Sequence, residues 1–492
     1  MKYLSLIGAI FFLSLQTSAT TLCDNYLEKL PIQQGGRVKP LFVHSKEVVK
    51  FLTDKSKFNN QSPAVTFCKL STGDQKTIDT IKLPTPHVEV QKLLGTSEKM
   101  TLAKEILPKA NLLRGAYMGI SEENSYKKAL QKLMERIQLL NAVIDGTQWT
   151  LPHFGDEISW ASLNEVQKIK KQPLSKEYLE GLTSEYIKRK TDHYLLENTY
   201  IKAHFTGYAM LACILTIIFL VLFKNQLYSL LFAATALGLQ TASLTMRVMI
   251  SGRAPVTNMY ETVLFSGYGA LLLALIIGHM RKEKLFIYVG AGYNLITLFM
   301  VIFANEMLDS SIKPLVPVLR DNFWLSTHVT TIILSYSGLG LSWVLSNMVL
   351  FKRKFSKIDK KDEKYYADLI YTSIKYGTVL LAAGIILGGV WADYSWGRFW
   401  GWDPKETWSL IVLCIYMAIL HGKYTNWIPA SRFIHFTAGA FMSVMMAWFG
   451  VNYILASGLH SYGFSQGGAV FLGTFFAVQI IILIIFKGKK NA

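Results

Sequence analysis

The sequence predicts an all-α polytopic membrane protein with about nine transmembrane helices, preceded by an exported, mainly α-helical soluble domain. Two observations carry this prediction. Apolar residues make up 51% of the 492 residues, and from Phe205 onward they form runs of membrane-spanning length with short charged breaks between them. Residues 20–204 are mixed and polar, so the chain divides into a soluble domain at 20–204 and a membrane domain at 205–492.

Residues 1–19 predict a signal peptide or a signal anchor. They begin with a charge at Lys2, continue with an apolar run, and end in small residues. Either form sends the soluble domain to the outer side of the membrane.

The exported domain offers one clear helix and one pair of cysteines. The helical spacing of its leucine and isoleucine residues predicts a helix over 125–146. The four cysteines of the chain contain no CxxC pattern, which argues against a thiol redox site or a structural zinc site. Cys23 and Cys68 fall in the exported domain, where they form either a disulfide or two separate thiols.

Nine spans account for the apolar runs of the membrane domain, and each is close to the roughly 20 residues that a helix needs to cross. They cover about 205–223, 227–247, 260–279, 285–304, 325–351, 373–391, 408–421, 432–454 and 468–486.

Much of the net charge of +18 lies in short basic loops, which all fall on one side of the membrane if the spans alternate. The positive-inside pattern makes that side the cytoplasm. The charge therefore sets the topology and does not indicate a nucleic-acid partner. The outer face then carries the segments 251–260, 305–323, 391–408 and 456–468.

The most unusual part of the chain is WADYSWGRFWGWDPKETW at 391–408, which holds five of the eleven tryptophans. Tryptophan usually occurs singly in the interfacial belt of a membrane protein. Five together on the outer face indicate a binding surface for a flat aromatic ligand. The five are Trp391, Trp396, Trp400, Trp402 and Trp408.

Histidines at span ends are the candidate metal ligands, because histidine is the side chain most often recruited to bind metal. His328 and His460 lie on the outer face and flank the Trp-rich segment in sequence. Either one alone would be interpreted as an interfacial residue, but the pair beside an aromatic surface indicates two axial ligands for haem iron. His421 ends the seventh span at the inner surface and is a candidate inner ligand. His279 and His435 lie at a similar depth, and each is either a second inner ligand or an interfacial residue.

The polar residues of the Trp-rich segment have alternative roles. Asp403, Pro404 and Glu406 match the start of a helix, with a cap, a proline in the first turn and an acidic group at the positive end of the dipole. Asp403 is also a candidate for the ligand site. Arg398 and Lys405 would meet the two propionates of a haem or, equally, lipid headgroups.

These motifs resemble a known family. WGRFWGWDPKETW resembles the tryptophan-rich "WWD" signature of haem-handling proteins, and the flanking histidines resemble the system II cytochrome c biogenesis branch, of the CcsA/ResC type and the fused CcsBA form. The resemblance covers the membrane domain from about Gly252 onward. It includes GRAPVTNMYE at 252–261, WLSTHV at 324–329, LH at 420–421 and VNYILASGLHSYG at 451–463.

The resemblance implies that His328 and His460 are the external ligands of haem b, and that His421 is an internal one. It also implies export of haem across the bacterial inner (cytoplasmic) membrane and presentation at the outer face, where the thiols of a CxxCH motif in apocytochrome c add to the vinyl groups. Fused members carry another transmembrane histidine ahead of the soluble domain. The second inner ligand is therefore absent here, supplied by a separate subunit, or replaced by His279 or His435.

Three functions follow as alternatives. The leading hypothesis is a haem exporter with holocytochrome c synthetase (haem lyase) activity, acting by positioning and without a protein nucleophile. The second is a haem-delivery or transport module without ligase activity. The third is a transporter for an unrelated solute, which would require the Trp-rich segment to be merely interfacial.

Overall fold

The computed structural model describes residues 22–122, 124–170, 174–304, 307–315, 321–356, 358–455 and 467–486. The chain forms two compact units that divide between Thr199 and Tyr200, inside a short helix. The predicted signal segment at 1–19, most of the outer segment 456–468 and His460 lie outside the described residues.

The first unit is mainly helical, with three small two-stranded antiparallel sheets. Its strands pair as β1 with β2, β3 with β4, and β5 with β6. The strands are β1 Pro31–Gln34, β2 Arg37–Pro40, β3 Lys82–Pro84, β4 Met100–Leu102, β5 Thr150–Phe154 and β6 Ile158–Ser162. The helices are α1 Leu41–Thr53, α2 Pro63–Ser71, α3 Gln75–Thr80, α4 Val88–Leu94, α5 Ala103–Ile106, α6 Ala110–Met118, α7 Ser125–Ile144, α8 Leu163–Lys170, α9 Lys176–Arg189 and α10 Leu196–Lys202, together with 3₁₀ turns at Asn25–Lys29, Leu107–Lys109 and His193–Leu195.

Helix α7 confirms the helix predicted from apolar spacing in this unit. Its buried face holds Leu130, Leu133, Ile137 and Leu140, which recur every three or four residues and so lie on one side of the helix. Cys23 and Cys68 form a disulfide, which decides between the two alternatives that the sequence left open.

The second unit is a bundle of long apolar helices. They are α11 Phe205–Val221, α12 Gln226–Ser251, α13 Met259–Arg281, α14 Leu285–Phe303, α15 Asn322–Trp324, α16 Thr330–Phe355, α17 Lys360–Trp396, α18 Pro404–Tyr424, α19 Ala430–Met445 and α20 Gly468–Ile485. A π-helical turn at Leu325–Val329 joins α15 to α16, and a π-helical segment at Met446–Leu455 continues α19.

Eight of the described helices are long and apolar enough to cross a membrane, with the α15–α16 and α19–π stretches each counted as one. The remaining predicted span, the first one at 205–223, corresponds to α11, which has 17 residues and meets α10 at a bend of 41°. The predicted all-α polytopic membrane fold is thus confirmed. Helix α17 is much longer than the span predicted at 373–391, because its first turns carry charged side chains that a hydropathy pattern leaves out.

Candidate functional site: a histidine and tryptophan cavity

One end of the membrane unit contains a cavity at the meeting point of five helix ends. The start of α13, the π turn before α16, the end of α17, the start of α18 and the π segment after α19 all contribute to it. The empty space inside it and at its open mouth together amounts to about 1180 Å³. The wall is mostly apolar, and its polar members are Thr257, Asn258, Thr262, His328, Lys405, Glu406, Ser409 and Asn452.

His328 reaches this cavity from the π turn Leu325–Val329. Asp321 starts the helix before it, accepting hydrogen bonds from the backbone N–H groups of Phe323 and Trp324 at 3.0 and 3.1 Å. A π turn inserts one extra residue into a helix and so re-aims the side chains that follow, and such turns are frequent at functional sites. The two π segments found in the described part of the chain line the same cavity.

The ring of His328 is fixed by a contact with helix α17. Its Nδ1 lies 2.8 Å from the carbonyl oxygen of Gly384. Because a carbonyl can only accept, Nδ1 carries a proton, and in the neutral form of the ring Nε2 would be the nitrogen with the lone pair. This is the arrangement of a metal-binding histidine, in which a backbone carbonyl fixes both the tautomer and the ring orientation.

Gly388 makes room for the same ring. A Cβ atom added at Gly388 would lie 2.6 Å from His328 Cε1, closer than real Cβ atoms come. The ring therefore lies against the bare backbone of α17. On another side it meets Trp391 edge-on, with the two ring centroids 5.7 Å apart.

The five tryptophans of the segment 391–408 do not form a single surface. Trp391 and Trp400 line the cavity, and the other three are not among its lining residues. Trp402 is 69% exposed, with its backbone at a φ of 58°, and its ring stands edge-on to that of Trp400 at 5.9 Å. Trp408 packs against the hydrophobic core of the membrane unit, and Trp396 lies under the guanidinium of Arg398.

Two indole N–H groups at the cavity are buried donors. Among the described residues, neither Trp391 Nε1 nor Trp400 Nε1 has a hydrogen-bond partner. A buried donor left without an acceptor destabilises the fold. A ligand with acceptor oxygens could accept hydrogen bonds from these two N–H groups.

The helix start predicted at Asp403 is present in full. The Asp403 carboxylate accepts from the Glu406 N–H at 2.9 Å, Glu406 Oε2 accepts from the Asp403 N–H at 3.4 Å, and Pro404 takes the first helical position. Glu406 Oε2 also accepts from the Gly401 N–H at 2.6 Å. This capping box ties the Trp-rich segment to the start of α18.

The two basic residues of the segment have different surroundings. Arg398 Nη1 lies 3.6 Å from Glu406 Oε1, and the guanidinium occupies the space where a side chain at position 401 would be. Arg398 is therefore engaged with protein groups and is not among the lining residues of the cavity, and Lys405 is one of the residues that line it.

The histidines predicted at the inner surface lie at the ends of their helices that are away from the cavity. His421 is exposed in the last turn of α18, and His279 is exposed in the last turn of α13. The ring of His435 is held by protein groups at both nitrogens, with Nδ1 near Arg353 and the Ser431 carbonyl and Nε2 near the Phe486 carbonyl. Within the described residues, no three His, Cys, Asp or Glu side chains are grouped to hold a metal ion.

Sequence reasoning missed several residues that shape this site. Gly388 is one of them, because it makes room for the His328 ring. Trp448 is another, because its Nε1 donates to Thr262 Oγ1 at 3.1 Å and so joins two residues of the cavity wall. A sequence signal for Gly388 was available in the two adjacent glycines, Gly388 and Gly389, shortly before Trp391. Glycine destabilises the interior of a helix, so a pair of glycines there indicates that another group approaches the backbone closely. No local signal marks the π turns.

The cavity lies within the part of the chain that is similar to known proteins. Residues 256–460 match the family model described as cytochrome C assembly protein, and this range includes every residue that lines the cavity. The protein CcsA of Guillardia theta, a cytochrome c biogenesis protein, is 35% identical over 249 residues, which are 45% of this chain and 81% of that protein. The chain belongs to the cytochrome c assembly family.

Further relatives show how far the likeness to CcsA-type assembly proteins extends. A CcsA protein of Prochlorococcus marinus (strain MIT 9303) is 32% identical over 259 residues, which are 45% of this chain and 80% of that protein. Protein NrfI of Wolinella succinogenes is 36% identical over 234 residues, 46% of this chain but 25% of that protein. The family match starts at residue 256, so it leaves the first unit of this assembly protein uncovered.

Proposed function

We propose that this cytochrome c assembly protein binds haem b in the cavity and presents it for covalent attachment to a CxxCH motif of apocytochrome c. The observation that carries the proposal is His328, which lines the cavity with its Nδ1 at the Gly384 carbonyl and its ring beside the buried ring of Trp391. Family membership supports a role in cytochrome c biogenesis.

The residues of the cavity fit haem in three respects. His328 would bind the iron, and the resemblance names His460 as the second external ligand. Trp391 and Trp400 would contact the porphyrin, and their unpartnered indole N–H groups suit acceptor oxygens. Lys405 is the basic residue of the wall and would face a propionate.

Attachment needs positioning more than it needs a protein nucleophile. Each cysteine thiol of apocytochrome c would form one S–C bond to a vinyl carbon, and its proton would pass to the other vinyl carbon. The addition involves no net oxidation, so the thiols must arrive reduced. The protein would hold the vinyl edge at the cavity mouth next to the bound thiols, and proximity of this kind supplies a large part of the rate.

The proposed location is the bacterial inner membrane, with the cavity and the first unit on the outer side. The basic loops support this orientation, and so does the Cys23–Cys68 disulfide, because disulfides persist outside the reducing cytoplasm. Haem would enter by way of His421 near the inner surface. The ring of His435 is already held by its neighbours, which favours His279 or a second biogenesis subunit as the other inner ligand.

Reconstitution with reduced apocytochrome c and haem tests the proposal. We expect a haem–polypeptide adduct that survives acid-acetone extraction, absent when the apocytochrome cysteines are serines and strongly reduced by His328→Ala. A protein that shows a haem Soret band but forms no adduct would be the haem-delivery module without ligase activity. A protein that takes up no haem at all would contradict both functions.

A further inference from the structure

A fully buried ion pair lies behind the cavity wall. Arg247 in α12 and Glu261 in α13 are 0% and 1% exposed. Glu261 Oε1 accepts from Arg247 Nη2 at 2.6 Å and from Nε at 3.0 Å. Removing two charges from water is costly, so a buried pair persists only where further contacts or a functional need offset the cost.

The guanidinium of Arg247 is fixed on all sides. Its Nη1 donates to the carbonyl oxygen of Ser310 at 3.0 Å and lies 3.3 Å from the hydroxyl of Tyr200. The Tyr260 ring lies under it, with the centroid 5.1 Å from Cζ. Arg247 therefore holds the Glu261 carboxylate in one place.

The second oxygen of Glu261 faces the segment that forms the cavity wall. Oε2 accepts from the backbone N–H of Thr257 at 2.8 Å and from its hydroxyl at 2.7 Å. Residues 256–259 all line the cavity. The helix start itself does not need this carboxylate, because Asn258 already caps α13 by accepting from the Glu261 N–H at 2.9 Å.

We propose that Arg247 and Glu261 are positioning residues of the cavity, which hold the wall segment 256–259 through the two hydrogen bonds that Glu261 accepts from Thr257. The inference rests on the proposed function only for the identity of the molecule in the cavity. It gives the ion pair a task that the family resemblance did not assign to it.

The test uses the full chain in detergent with Val256→Cys as a reporter, because Val256 lines the cavity and is 3% exposed. Site-resolved maleimide labelling of that cysteine measures how often the wall opens. Thr257→Val removes the hydroxyl bond, Thr257→Ser keeps it, and Glu261→Gln removes the charge. The matched control is Thr235→Val, since Thr235 is exposed on α12 and its hydroxyl donates to the Leu231 carbonyl of the same helix.

We expect Thr257→Val and Glu261→Gln each to raise the labelling rate by roughly tenfold or more, the size expected for a lost hydrogen bond to a charged group. Thr257→Ser and Thr235→Val should label like the parent. The double variant Thr257→Val/Glu261→Gln should exceed Glu261→Gln by little, because both changes weaken the same contact between Thr257 and residue 261. Transfer of haem to apomyoglobin should quicken in the same order.

Labelling of Thr257→Val at the parent rate would overturn the proposal, and so would an equal rise in Thr235→Val. Labelling does not depend on haem. A parent protein without a Soret band but with the expected labelling pattern would therefore contradict the proposed function and support the positioning role.

Discussion

Replacing Gly388 with alanine should displace His328 without changing any polar group. The added Cβ would lie 2.6 Å from His328 Cε1, and ordinary contact begins at 3.4 Å, so the ring has to move by about 0.8 Å. The ring has little freedom to do so, because Nδ1 is bonded to the Gly384 carbonyl and Trp391 lies against the ring. Overpacking of this kind costs roughly 1–3 kcal/mol.

The expected result is a loss of haem retention with the fold preserved. A misplacement near 1 Å typically costs on the order of a hundredfold in a site that depends on geometry. We expect the rate of haem transfer from purified Gly388→Ala to apomyoglobin to rise by about tenfold to a hundredfold. Added imidazole should restore the Soret band, since it can replace a displaced ring.

Gly238→Ala is the matched control, because Gly238 lies in α12 and a Cβ there meets nothing within 4 Å. That variant should keep haem like the parent and gain slightly in stability, by roughly 0.5–1 kcal/mol. The reasoning would be refuted if Gly388→Ala retained haem as well as Gly238→Ala does.

Three further predictions concern stability. Asp403→Ala should lower the free energy of unfolding by about 1 kcal/mol, as measured by thermal unfolding. Asp403→Asn should keep most of the stability of the parent, because asparagine caps a helix equally well. An equal loss of stability in both variants would argue against the capping role. The pKa of His44 is lowered to about 3 because burial disfavours the charged ring and Lys39 lies near it. Since an unfolded histidine titrates near 6.5, only the unfolded state takes up this proton between pH 6.5 and about 3, and stability should fall by roughly 1.4 kcal/mol per pH unit below 6.5. Limited proteolysis of the first unit at pH 7 and pH 5 checks this, and an undiminished pH effect in His44→Phe would count against it. Reduction of the Cys23–Cys68 disulfide, whose cysteines are 45 residues apart, should destabilise the same unit by about 4 kcal/mol, seen as faster proteolysis; equal proteolysis with and without reductant would contradict it.

The helices of the membrane unit were predictable because each is specified by its own local sequence. Apolar runs of sufficient length predicted the spans, and the Asp403-Pro404 pair predicted the start of α18. Helix ends were less predictable. The charged first turns of α17 continue a helix beyond the apolar run, and hydropathy carries no signal for them.

The cavity was only partly predictable, because its contacts join residues that are distant in sequence. His328 and the Trp-rich segment were identified from residue type and sidedness. The contact of His328 with Gly384 joins residues 56 positions apart, and the division of the five tryptophans between cavity, core and surface depends on how α17 and α18 pack. Neither follows from local pattern, and the π turn that aims His328 has no sequence signature.

The most direct test of the account is the absorption spectrum of the purified full-length protein and of two histidine variants. The parent should show a haem Soret band, His328→Ala should lose most of it, and imidazole should restore it. His153→Ala, at an exposed position in β5 of the first unit, should keep the parent spectrum. A His328→Ala protein with an unchanged Soret band would contradict the claim that this histidine holds haem in the cavity.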